Sequence, residues 1–198
     1  GWQTLSQNHP SYQYTCDVLA GKINAPKYVI LQCKQFREIA DGENEKYCID
    51  EEKVRLIENV LGLLVMPKGL KARRPVREVT AGFQWLFYIA VLCTVYRDNP
   101  ERRRYETVIL EICRKNGKTF LIAVIFILAF LLEPRFSQFY SVAPDGLLSR
   151  EVKKAITEII KCSPALEGKF KILRSNILCT LTDNDYIPLN YSKDRLDG

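Results

Sequence analysis

Arg114-Lys115-Asn116-Gly117-Lys118-Thr119 is the stretch on which the fold reading turns, together with the runs on either side of it. Glu106-Thr-Val-Ile-Leu-Glu-Ile-Cys113 leads in and is rich in strand-favouring residues, while Phe120 to Leu132 follows as an unbroken apolar run. Strand, tight loop, Gly-Lys-Thr and helix is the order of a phosphate-binding loop. In such a loop the glycine lets the backbone bend close to the phosphates and the lysine reaches the β- and γ-phosphates. The threonine hydroxyl holds Mg²⁺, and the new helix aims its N–H groups and positive dipole end at the anion. The full pattern carries another glycine five residues before Gly117; this chain has Ile112 there, so the loop is a variant. Arg114, Lys115 and Lys118 crowd the helix start, where each cation is unfavourable by about 0.3–1 kcal/mol unless an anion is bound. The cluster points to a polyanion site. The bland alternative is an ordinary strand-to-helix turn with Lys118 exposed.

Outward from the loop, the downstream residues alternate between periodicities. They predict a strand at 106–113, a helix at 118–132, a strand at 136–142 and a helix at about 147–161. Short strands follow at Phe170–Arg174 and Ile177–Leu181, with another at Tyr186–Tyr191. Alternating β and α segments predict a parallel sheet with helices on both faces. Upstream, the chain reads as helical. Asn24 is the expected cap of a helix through about Ala40, with Tyr28, Leu31, Phe36 and Ile39 on its apolar side, ended by Asp41-Gly42-Glu43-Asn44. Asp50 caps the next, in which Val54, Ile57, Leu61 and Leu64 recur at helical spacing until Pro67-Lys-Gly69. Lys68 to Arg77 is a basic, irregular linker with the charge to touch nucleic-acid phosphate. Thr80 opens an amphipathic helix through Phe83, Leu86, Phe87, Ile89, Ala90 and Cys93, and Arg97-Asp-Asn-Pro-Glu101 turns into Arg102-Arg103-Arg104.

Composition narrows the chemistry. With 198 residues, 47% hydrophobic and 26% charged, the chain has the make-up of a soluble globular protein with one sizeable core. A net charge of +6 biases it toward polyanionic partners. The seven cysteines are odd in number and scattered, which argues for reduced thiols rather than a disulfide frame or zinc site. His9 is the only histidine, so histidine-based metal binding and Ser-His or Cys-His catalysis are excluded as leading readings. Thr119 to Leu132 is too short for a membrane span, which takes roughly 20 residues. A helix buried on all sides explains it, and no membrane association is expected. The polar start without a methionine suggests a cleaved tag or an internal fragment.

Arg-Lys-Asn-Gly-Lys-Thr resembles the variant Walker A loop of the large terminase subunit, the ATP-driven DNA-packaging motor of tailed bacteriophages. Other segments agree in order. Asp17-Val-Leu-Ala-Gly-Lys-Ile-Asn-Ala-Pro-Lys-Tyr28 is similar to the opening of that family's helical region, and Phe83-Gln84-Trp85 to its adenine-recognising glutamine motif. Phe139-Tyr-Ser-Val-Ala-Pro144 is similar to the segment after its second strand, and Asp194-Arg-Leu-Asp-Gly198 to the stretch before its Walker B strand.

The resemblance implies an α/β fold: a P-loop NTPase core of the RecA-like (ASCE) type, incomplete at its C-terminus, in residues 76–198, after a helical N-terminal region in residues 1–75. It implies ATP and Mg²⁺ as ligands. Lys118 would bind the β/γ-phosphates, Thr119 would hold Mg²⁺, and the backbone of Lys115, Asn116, Gly117, Lys118 and Thr119 would cradle the phosphates. Arg114 would act on the γ-phosphate, and Gln84 would read the adenine edge, its amide having both donor and acceptor. Arg114 and Lys118 are thus the implied catalytic residues. Leu147-Leu148 stands where a glutamine is expected, so no role carries over there. Ile49-Asp50-Glu51-Glu52 only superficially resembles a Walker B, which the family places after Gly198, with a nuclease domain further on. The chain is therefore expected to be an ATP-binding fragment or a shortened protein that hydrolyses ATP poorly for want of a catalytic carboxylate.

The intact protein would package double-stranded DNA in the cytoplasm of a bacterial host, as a ring working with a portal protein and a small terminase subunit. Two other readings stay open: a helicase-like, nucleic-acid-dependent P-loop ATPase, and a non-catalytic module that binds DNA or portal.

Overall fold

Proline, glycine and capping side chains set the boundaries of most elements. The computed structural model describes residues 4–69, 71–105, 117–143 and 146–190. These fall into two compact units, one of Gly1–Glu58 with Thr80–Leu110 and one of Asn59–Val79 with Glu111–Gly198. The boundary expected near residue 75 falls inside a segment of the second unit. In chain order the first part of the protein carries α1 (Pro10–Leu19), α2 (Lys27–Ala40), β1 (Tyr47–Ile49), α3 (Glu51–Leu63), α4 (Val76–Val79), α5 (Gly82–Cys93) and β2 (Thr94–Tyr96). The second carries α6 (Lys118–Leu132), β3 (Gln138–Ala143), α7 (Gly146–Cys162), a 3₁₀ turn (Pro164–Leu166), β4 (Phe170–Ile172), β5 (Ile177–Cys179) and β6 (Asp185–Asn190).

In the first unit α1 packs against α2 and α5. Pro10 opens α1 with its fixed φ, and the His9 Nδ1 accepts the Ser11 N–H at 3.1 Å as the cap. Gly82 marks the close approach to α5: a Cβ there would lie 3.0 Å from Tyr14 Cβ and 3.4 Å from the Pro10 carbonyl. The α2 helix does not start at Asn24 but at Lys27, because Pro26 pushes Ala25 out of the helical region. Its buried face is Cys33, Phe36, Ile39 and Ala40, whereas Tyr28 and Leu31, expected inside, are 67% and 56% exposed. The helix ends as its sequence dictates. Gly42 has a φ of 77°, its N–H reaches the Ile39 carbonyl, and the Glu43 N–H reaches that of Glu38, a Schellman closure.

Asp50 caps α3, its Oδ1 accepting the Lys53 N–H at 3.2 Å, and Val54, Ile57, Leu61 and Leu64 are all buried as expected. In α5 the helical period holds but the phase differs. Trp85, Tyr88, Ile89, Leu92 and Cys93 are buried, while Phe83 is exposed and Leu86, Phe87 and Ala90 are half-buried. Nearly every residue of α5 is apolar, so hydrophobicity alone does not mark its inner face. The chain leaves α5 directly into β2, which pairs antiparallel with β1. Neither three-residue strand was legible, being too short to show a period.

In the second unit the sheet order is β3-β6-β5-β4. Among the described strands only β3 and β6 run parallel; β6–β5 and β5–β4 are antiparallel, which corrects the expected parallel sheet to a mixed one. The reason lies in Arg174 to Asn176 and Thr180 to Asn184, turns too short for the crossover that parallel neighbours require. Phe126 of α6 packs on Tyr186 at 4.6 Å between ring centroids, and Phe130 packs edge-on against Phe139 and Phe170. Helix α7 packs against α6, β3 and β6. On the opposite side of β3, Tyr140 and Val142 are exposed, so helices on both faces are not found among the described residues.

The stretch read as a linker is partly folded. Val65 bridges to Pro75, its N–H donates to Ser163 Oγ at 2.9 Å, and α4 follows within the same unit.

Candidate nucleotide-binding site

Helix α6 begins at Lys118, as the sequence predicted. Gly117 is its N-cap in the left-handed conformation, φ 69° and ψ 14°, which a residue with a side chain adopts only at a cost. The Leu121 N–H donates to the Gly117 carbonyl at 3.2 Å and closes the first turn. A helix start leaves its first N–H groups without an intrahelical acceptor. Gly117 has no side chain to cap them, and no acidic residue stands in the first turn. Lys118 and Thr119 are half-buried and Gly117 is exposed. The helix start therefore has an anion-attracting character made by backbone and by Lys118 together.

The remainder of α6 fixes this end in place. Leu121, Ala123, Val124, Ile127, Leu128 and Phe130 are buried. At the far end the buried Asn184 donates through Nδ2 to the Phe130 carbonyl at 2.9 Å and to that of Glu133 at 3.2 Å. Its Oδ1 accepts the Ser137 N–H at 2.7 Å, so one amide ties the helix end to the approach of β3. Thr182 Oγ1 donates to the same Phe130 carbonyl at 2.7 Å. No local pattern marks Asn184, whose side chain bonds only to residues distant in the chain among those described.

Arg114, Lys115, Asn116 and the strand expected at 106–113 lie outside the described residues. Gln84 lies in the first turn of α5, in the first unit, whereas Gly117, Lys118 and Thr119 belong to the second. The Gln84 Oε1 accepts the Ala81 N–H at 2.8 Å, so the side chain caps its own helix. Its amide donors and the second lone pair of Oε1 are not consumed by that bond. Trp85 beside it is buried and meets the His9 ring edge-on at 5.2 Å. Asp50, followed by Glu51 and Glu52, serves as a helix cap, in keeping with its reading as something other than a Walker B.

Among the described residues no group of three or more His, Cys, Asp or Glu side chains is arranged to hold a metal. A Mg²⁺ held with phosphates needs less: one or two protein oxygens, the rest coming from substrate and water. Thr119, half-buried on the first turn of α6, carries an oxygen of the kind that requirement calls for. No described helix is long and apolar enough to cross a membrane.

Sequence reasoning noted Arg102-Arg103-Arg104 but missed what the fold places beside it. Tyr47 and Tyr96 stand directly opposite one another on β1 and β2, and Lys46, Arg102 and Arg104 lie over their rings.

No protein-family model matches the sequence, and no curated protein matches it. Among solved structures the chain is similar to the large terminase of bacteriophage HK97, with 23% identity and a TM-score of 0.54. The match covers 69% of this chain and 27% of that one, so the chain spans about a quarter of the length of the terminase it matches. The likeness is one of fold: the mixed α/β architecture described above is terminase-like.

Proposed function

We propose that this chain binds ATP at the start of α6 and is the nucleotide-binding part of a DNA-packaging motor of the large-terminase kind. The observation that carries the reading is the head of α6. A left-handed glycine is followed by lysine and threonine on the first turn of an apolar, well-anchored helix. The fold likeness to a large terminase supports it over a helicase-like ATPase.

In this reading Lys118 binds the β/γ-phosphates. Its charge is unfavourable at a bare helix N-terminus by about 0.3–1 kcal/mol, and a bound anion reverses that sign. The backbone from Lys115 to Thr119 cradles the phosphates. Arg114 stabilises the negative charge spread over the transferring phosphoryl group, an effect worth about 10³–10⁵ in rate in NTPases that use such an arginine. Thr119 is the residue that would hold Mg²⁺, which when bound neutralises charge on the phosphates. Catalysis in such a site is mostly positioning and electrostatic stabilisation. The proposed partners are double-stranded DNA, a portal protein, a small terminase subunit and further copies of the chain in a ring, in a bacterial cytoplasm.

Titration calorimetry with MgATP tests the nucleotide site. The wild-type chain should bind, and Lys118→Ala should abolish binding. Equal affinity of the two proteins removes the assignment.

A further inference from the structure

The first unit carries a cation-faced aromatic surface that the nucleotide reading does not use. Tyr47 and Tyr96 are register partners on β1 and β2, so their side chains share one face, with ring centroids 5.0 Å apart. Residues 102–104 run beside β2 as a third, antiparallel segment. The Tyr96 N–H donates to the Arg102 carbonyl at 3.1 Å, the Arg104 N–H donates to the Thr94 carbonyl at 2.8 Å, and Val95 bridges to Arg103. Strand alternation then puts Arg102 and Arg104 on the tyrosine face and Arg103 on the other. The contacts agree. The Arg102 guanidinium lies 4.7 Å from the Tyr96 centroid, and that of Arg104 lies 4.5 Å from Tyr47 and 4.9 Å from Tyr105. Lys46 Nζ stands 5.4 Å and 5.7 Å from the Tyr47 and Tyr96 centroids.

A guanidinium placed over a ring is held there by the ring's negative face, and its N–H donors lie in its own plane, the geometry that matches oxyanions. Arg102 and Arg104, two residues apart on an extended segment, are about 6.6 Å from each other. That is of the order of the separation between consecutive phosphates along a nucleic-acid strand. With cations already over the tyrosine rings, this face is arranged for phosphate rather than for base stacking. The Tyr47 hydroxyl reports the same field. Burial raises its pKa, but hydrogen bonding with Tyr96 and Lys46 and the charges of Lys46 and Arg104 outweigh this and lower it. Glu45 and Asp98 line the same depression as Lys46, Tyr96, Arg97 and Arg102, in which the cations outnumber the carboxylates.

We infer that Lys46, Arg102 and Arg104, held on Tyr47, Tyr96 and Tyr105, form a phosphodiester-binding face that contacts the backbone of duplex DNA without reading its sequence. The inference deepens the packaging reading by naming a surface for the polyanion, and it rests on the first unit alone, not on the loop before α6.

The test is binding of a fluorescein-labelled mixed-sequence duplex by the 198-residue chain, measured by anisotropy over a salt series. Each phosphate contact contributes about −0.9 to the slope of log K against log salt. Arg102→Ala with Arg104→Ala should weaken binding at least tenfold and flatten the slope by about 2. Lys46→Gln, on an exposed side chain, should flatten it by about 1, and it decides the matter if the double variant does not fold. Lys118→Ala should bind the duplex as wild type does, so failure of the nucleotide site and failure of this face are read separately. Unaltered affinity and slope in folded Lys46→Gln and double-alanine proteins overturn the inference. So does the absence of duplex binding by the wild-type chain at low salt, or equal competition by polyglutamate, which assigns the face to an acidic protein instead.

Discussion

Acidification from pH 7 to 4.5 should destabilise this protein through one residue, His9. The ring is buried against Trp85, with Nδ1 accepting the Ser11 N–H and Nε2 standing 3.1 Å from Glu58 Oε1. The nearby carboxylate favours a protonated ring, but removal from water wins and lowers the pKa from about 6.5 to about 4. Between those values the unfolded chain binds a proton that the folded one refuses, so stability rises with pH across that window. The contribution is whole above pH 6.5 and is lost progressively as pH falls toward 4. The full slope is about 1.4 kcal/mol for each pH unit, and because titration is partial near pH 6.5 and again near pH 4, the loss by pH 4.5 is roughly 2 kcal/mol.

Carboxylates titrate in the same range, so the comparison is with His9→Asn. Asparagine keeps a capping oxygen for α1 but has nothing to titrate. Urea unfolding of both proteins at several pH values isolates the histidine, because it is the only one in the chain. The variant will carry a constant offset from the lost Trp85 contact, and the gap between the two should change by roughly 2 kcal/mol over the window. Parallel stability curves, or an NMR titration that places the His9 pKa above 6.5, would refute the reasoning and show that Glu58 governs the ring.

Other outcomes follow from single positions. Gly117→Ala should cost about 1–2 kcal/mol in chemical unfolding. Among the described residues nothing lies within 4 Å of the new methyl, so the cost is one of backbone strain. Asn184→Ala should cost about 1–3 kcal/mol, because the Ser137 N–H and the Phe130 and Glu133 carbonyls each lose a partner; a change under 0.5 kcal/mol would deny the amide its anchoring role. Phe130→Ala, which removes a fully buried ring touching Phe139 and Phe170, should cost about 3–5 kcal/mol by the same measurement.

The elements that the sequence marked correctly are those whose signals are local. Helix α6 starts at Lys118 and ends at Leu132 because a glycine, an apolar run and Glu133-Pro134 lie adjacent in the chain. Asp50 and Gly42 act within a few residues of themselves, so their capping roles were legible too. The start of α6 belongs to the same class, because a left-handed glycine at a helix boundary is a demand on one residue that the chain meets locally.

Tertiary structure alone decided which side of each apolar helix faces inward, because α5 is hydrophobic nearly all round and a period without polar residues has no phase. It decided the mixed strand order, since pairing partners are chosen by turn length and packing rather than by the composition of a strand. It placed Tyr47 opposite Tyr96 and laid Arg102 and Arg104 across them, joining residues far apart in the chain through backbone hydrogen bonds that no local periodicity encodes.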